Sequence, residues 1–107
     1  YSLTTELRRM LNKQIMDNTA SINDFSAALH MTSRTLMRKL KDEGTSFQQL
    51  KDIVRRDKAV QLLVQTELPV SEVAERVGYS DSAVFTRAFR AWTGATPRRY
   101  REQQTSV

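Results

Sequence analysis

None of the 107 residues is cysteine, which excludes disulfides and thiolate metal sites and is compatible with a reducing compartment. No apolar run approaches the roughly 18 residues that a membrane span needs. Histidine occurs once, at His30 in a turn, where a structural or backbone role outweighs catalysis. No carboxylate pair, nucleophile–base pair or phosphate-cradling glycine loop accompanies it. The chain therefore does not read as an enzyme, and neither a metal nor a cofactor is expected. The four methionines fall at helical spacing and read as core filler. Tyr1 stands where Met would open a complete chain and no signal-peptide pattern follows, so the expectation is a piece of a longer protein. What remains is one domain's worth of sequence, long enough to bury a core unaided.

Basic charge, by contrast, is plentiful. The net charge is +5 and the pI is near 10.0. From Arg87 to Arg101 there are five arginines and no acid, whereas Glu67 to Asp81 holds four acids and one arginine. Such a balance favours nucleic acid or an anionic membrane as partner. A membrane-surface role fits poorly, because the basic helices need their apolar faces for the core.

Helical periodicity runs the length of the chain, with no strand-like alternation. Leu3, Leu7, Met10, Leu11 and Ile15 share one face of a first helix, with Arg8, Arg9 and Lys13 opposite and Asp17-Asn18 as its stop. Ser21 and Asp24 form a capping box for a helix that buries Ile22, Phe25, Ala28 and Leu29. The next helix runs from about Ser33 to Glu43, turns Leu36 and Leu40 inward and stops at Gly44. Thr45 with Gln48 makes a second capping box, opening a helix of roughly 20 residues that reaches Thr66. Phe47, Leu50 and Val54 line one side of it and Ala59, Leu62 and Leu63 another, as in a strut shared by two packing units. Pro69 opens a helix with Val70, Val73, Ala74 and Val77 inward, and Gly78-Tyr79-Ser80 makes a turn. Asp81 caps a helix that buries Phe85, Phe89 and Trp92 before Gly94 ends it. Thr96-Pro97 starts a last short helix, and Gln103 to Val107 reads as a frayed tail.

Two of these passages repeat one plan: short amphipathic helix, tight turn, basic helix. That is the layout of a helix-turn-helix, whose second helix enters the major groove. With Leu36 and Leu40 inward, Arg34, Thr35, Met37, Arg38 and Lys41 point out of the first basic helix. With Phe85 and Phe89 inward, Ser82, Ala83, Thr86, Arg87 and Arg90 point out of the second. Arg38 and Arg87 are equivalent, and arginine there can grip guanine O6 and N7 for about 1–3 kcal/mol of discrimination per pair. The small side chains of the second helix weight it toward thymine methyls and DNA shape. Arg98, Arg99 and Arg101 on the last helix face either phosphates or solvent. A strut of about 20 residues is about 30 Å long and a DNA turn about 34 Å, a match to successive major-groove segments of one bipartite site.

Gly78-Tyr79-Ser80-Asp81, Phe85-Thr86-Arg87-Ala88-Phe89-Arg90, Thr93-Gly94 and Thr96-Pro97-Arg98-Arg99-Tyr100-Arg101 resemble the signature of AraC/XylS-type transcriptional regulators. Arg55, Ala59, Leu62-Leu63 and Thr66 extend the likeness to the strut, and Ala28, Met31 and Ser33-Arg34-Thr35-Leu36 to the first copy. The resemblance implies an all-α domain of seven helices, with two helix-turn-helix subdomains (1–45 and 67–107) joined by a long linker helix (46–66). It implies double-stranded promoter DNA as partner, with RNA polymerase as a further candidate. It also implies a bacterial, cytoplasmic and nucleoid-associated regulator whose N-terminal sensing or dimerisation domain lies outside this chain. By position the base-reading candidates are Arg34, Met37 and Arg38, then Ser82, Ala83, Thr86 and Arg87. His30 departs from the pattern where glycine is frequent, the first turn is one residue shorter than the second, and Met37 replaces a polar residue. The rival expectation is a helical protein–protein interaction module on the same fold.

Overall fold

A computed structural model describes residues 2–14 and 21–105, and the described residues form seven α-helices and no strand. These are α1 (Leu3–Lys13), α2 (Ile22–Ala28), α3 (Ser33–Asp42), α4 (Phe47–Gln65), α5 (Val70–Arg76), α6 (Ser82–Thr93) and α7 (Pro97–Thr105). The chain divides into two compact units, Tyr1–Val54 and Arg55–Val107, with the boundary inside α4.

The first unit is built on leucine. Leu3, Leu7 and Leu11 recur at one-turn spacing along α1 and are buried with Phe25, Leu36, Leu40, Leu50 and Val54. Full burial of each such side chain stabilises by about 1.5–3 kcal/mol. The first turn of α1 is capped twice: Ser2 Oγ accepts from the Thr5 N–H at 3.4 Å, and the Glu43 carboxylate arrives from the far end of α3. Glu43 accepts from Ser2 Oγ at 2.9 Å, Thr4 Oγ1 at 2.8 Å and the Thr4 N–H at 3.2 Å. These hydrogen bonds favour the ionised form and hold its carboxyl below the usual carboxylate range. Helix α1 closes at Lys13, with the Gln14 N–H donating to the Leu11 carbonyl, ahead of the expected Asp17-Asn18 stop. Those two residues and Ile15 lie outside the described residues.

Helix α2 has the expected box, the Ser21 N–H donating to the Asp24 carboxylate at 2.8 Å. Its buried stripe differs from the expected one. Ala28 is exposed, and Ser26 is buried in its place, its hydroxyl donating to the Asn23 carbonyl at 3.0 Å. Ile22, Phe25, Ser26 and Leu29 follow the i, i+3, i+4, i+7 pattern of one helix face, and Ala28 lies off it. The capping box expected at Thr45 also moves by one residue. Thr45 spends its N–H on the Leu40 carbonyl in closing α3, so Ser46 caps α4, its Oγ accepting from the Gln49 N–H at 3.2 Å.

In the second unit Ala59, Leu62 and Leu63 of α4 are buried, as are Val73, Ala74 and Val77 and the rings of Phe85 and Phe89. Tyr79 lies 5.5 Å from Phe85, and Tyr100 meets Phe89 edge-on at 5.4 Å. Trp92 is half-buried, 6.2 Å from Tyr79. Thr96 Oγ1 accepts from the Arg99 N–H at 3.2 Å, and Pro97 takes the first helical position. Helix α7 then runs to Thr105, so Gln103, Gln104 and Thr105 are helical rather than frayed; Ser106 and Val107 lie outside the described residues.

Candidate nucleic-acid interface

Each helix-turn-helix is set by how its first helix ends. In α5 the Gly78 N–H donates to the Glu75 carbonyl at 3.1 Å and the Tyr79 N–H to the Ala74 carbonyl at 2.9 Å. This paired closure needs a left-handed residue, and Gly78 supplies φ +94°. In α2 the same closure joins His30 to Ala27 at 3.1 Å and Met31 to Ser26 at 3.0 Å. Here the left-handed residue is His30, at φ +58°, which explains why glycine suits the position.

The second helices start on side-chain caps. Thr32 Oγ1 accepts from the Thr35 N–H at 3.1 Å and donates to Thr35 Oγ1 at 3.0 Å. Asp81 accepts from the Ala83 N–H at 2.8 Å. With Leu36 and Leu40 fully buried, α3 exposes Arg34, Met37, Arg38 and Lys41. Met37 is 53% exposed, unusually open for a large apolar side chain. Thr35 is half-buried, and its oxygen is engaged by the cap while its own proton stays available. With Phe85 and Phe89 fully buried, α6 exposes Ser82, Ala83, Arg87 and Arg90 and leaves Thr86 half-buried.

Four further exposed side chains on these helices lie outside the expected reading set: Lys39 and Asp42 on α3, and Val84 and Ala91 on α6. Periodicity places them beside or beyond the outward stripe. Their exposure follows from the depth at which each helix is set, which periodicity does not give.

The cations of the chain fall into separate groups. Arg9 pairs with Glu6, Arg56 with Asp57 at 3.2 Å, Arg76 with Glu72 at 3.3 Å and Arg98 with Glu102 at 3.6 Å. The hydrogen bond between Arg9 and Glu6 lowers the Glu6 pKa and raises that of Arg9. Arg55 is buried, and Arg101 donates Nε–H to the Leu63 carbonyl at 2.9 Å. Arg101, expected at a phosphate or in solvent, is half-buried, and its bond to the Leu63 carbonyl joins α7 to α4. Arg34, Arg38, Lys41, Arg87 and Arg90 pair with no carboxylate among the described residues. The described residues also hold no cluster of metal-ligating side chains, and no helix among them is long and apolar enough to cross a membrane.

A family model described as "Helix-turn-helix domain" matches residues 25–103. The ornithine utilization regulator of Pseudomonas aeruginosa is 42% identical over 100 residues, covering 94% of this chain and 29% of that protein. This chain thus spans less than a third of the length of that curated relative. A DNA-binding transcriptional dual regulator from Escherichia coli K-12 superposes with TM-score 0.93 at 28% identity, over 100% of this chain and 96% of the other. A Chromobacterium violaceum regulator with an AraC-type DNA-binding domain gives TM-score 0.88 at 26% identity, over 96% and 92% of the two chains.

Proposed function

This chain belongs to the AraC-type helix-turn-helix family, and from that membership we propose that it binds a bipartite promoter site on double-stranded DNA as part of a bacterial transcription regulator. Residues 1–45 and 67–107 act as the two reading subdomains, with residues 46–66 as the linker between them. Helices α3 and α6 each enter the major groove. Arg34, Thr35, Met37, Arg38 and Lys41 face the first segment, and Ser82, Ala83, Thr86, Arg87 and Arg90 the second. Arg38 and Arg87 take guanine edges, Lys41 and Arg90 take phosphates, and Met37 and Ala83 meet thymine methyls.

The observation that carries this reading is the set of exposed cations without carboxylate partners on both recognition helices, whereas Arg9, Arg56, Arg76 and Arg98 elsewhere among the described residues each face a carboxylate. A charge left unpaired in the folded protein keeps its full attraction for a polyanion. Two recognition helices in one chain call for two major-groove segments, which recur along one face of the duplex about every 34 Å. The remainder of the full-length regulator supplies sensing or dimerisation, and RNA polymerase is its further partner.

Sites selected from random duplexes, followed by footprinting, test the reading. One chain should protect two patches about one turn apart, and affinity should fall steeply with salt. A single short patch would remove the bipartite model. A flat salt response, or no selected site, would favour the protein-interaction module.

A further inference from the structure

The proposed reading leaves the buried cation of the second unit unused. Arg55, on α4, is 8% exposed, and its guanidinium lies 5.5 Å from the centre of the Tyr79 ring. Tyr79 is not a peripheral ring. Its N–H completes the closure of α5, and its ring touches Phe85, the first buried anchor of α6, and Trp92 near the end of that helix. The turn between the two helices is therefore held from both ends by one residue, through its backbone N–H on one side and its ring on the other, and that ring is itself backed by a cation. Burying a guanidinium carries a large desolvation cost, and a less polar residue of similar length would fill the space. The Tyr79 ring face is one of the groups that offset this cost.

We propose that Arg55 is the positioning residue of the second recognition helix, fixing the direction of α6 through Tyr79. The assignment rests on the DNA reading given above, but half of its test is independent of DNA. Trp92 is the sole tryptophan, so its emission reports on the Tyr79 cluster alone. Arg55→Met should move that emission in the free protein while helix content by circular dichroism stays unchanged. On a bipartite duplex, at a concentration that saturates the first patch, the same variant should leave the second about tenfold less protected. Arg55→Lys, which keeps a cation near the ring, should recover most of that protection, and Tyr79→Leu should reproduce the loss while Tyr79→Phe does not. Equal protection of both patches by Arg55→Met overturns the proposal. So does a loss of both patches together with helix content, which would make Arg55 a general stabiliser. If the wild-type chain protects no DNA the DNA reading fails instead, and an unchanged Trp92 emission in Arg55→Met would then refute the contact between Arg55 and the turn.

Discussion

Leucine fills the core of the first unit, whereas aromatic rings line that of the second, and the way each fixes its recognition helix differs accordingly. In the first unit, the carboxylate at the end of α3 reaches across to Ser2 and Thr4 at the start of α1. Hydrogen bonds do the fastening there. In the second, a guanidinium over Tyr79 and another on the Leu63 carbonyl tie α4 to the turn and to α7. The turns differ as well: His30 precedes its cap Thr32 by two residues, and Gly78 precedes Asp81 by three. The reading faces then diverge. The first offers Arg34, Arg38, Lys41 and an open Met37, and the second offers Arg87 and Arg90 among small side chains. One backbone plan thus tolerates two solutions for holding the helix and two surfaces for reading, because the plan depends on closures and caps more than on the residues between them.

That contrast can be broken most directly at the matched arginines. Arg38→Ala should weaken specific binding by about 10–100-fold, and Arg87→Ala by less, with melting temperatures within a degree or two of wild type. Equal losses in a gel-shift titration would erase the proposed asymmetry between heads, and a collapse of the melting temperature would make either side chain structural. Next in size is the pair of left-handed positions, where opposite signs are expected. Gly78→Ala should destabilise by about 1–2 kcal/mol, because alanine resists φ +94°. His30→Gly should stabilise by up to about 1 kcal/mol, the relieved strain being partly offset by glycine's freedom in the unfolded chain. Urea titrations of both variants would settle the signs. The smallest effect belongs to Glu43. Its carboxyl is held below its ordinary pKa, so its contribution is complete above the unfolded carboxylate pKa and disappears as pH falls through the lower folded one. Melting curves across the acid range should show this for wild type and lose it in Glu43→Gln; unchanged curves would mean the clasp adds nothing.

Much of this organisation was legible in the residue order because helix ends carry strong local chemistry. Gly44, Gly78 and Gly94 all take positive φ where the helices end, and Ser21 and Asp81 cap as their neighbours suggest. Leu36, Leu40, Phe85 and Phe89 were fixed inward by spacing alone and are fully buried. What periodicity could not supply was competition for the same backbone group. Thr45 looks as good a cap as Ser46 until its N–H is seen closing the previous helix. Arg101 looks like Arg99 until α7 docks and turns one toward a carbonyl 38 residues away. Thr35 stands in the outward stripe by spacing, yet its oxygen belongs to the cap. The reading set itself rests on exposure and on the absence of carboxylate partners, and only DNA can rank its members.

The unpartnered cations of α3 have a cost in the unbound state. Arg34 and Arg38 stand four residues apart and Lys41 three further on, so like charges occupy successive turns of one face. Each such pair opposes the helix by roughly 0.2–0.5 kcal/mol. Salt should therefore act on the free chain and on its complex in opposite directions, screening this repulsion and firming the empty helix while it loosens the grip on the duplex. The duplex, as a counterion, would relieve the same repulsion on arrival, so part of its attraction for α3 is already present as tension in the protein that waits for it.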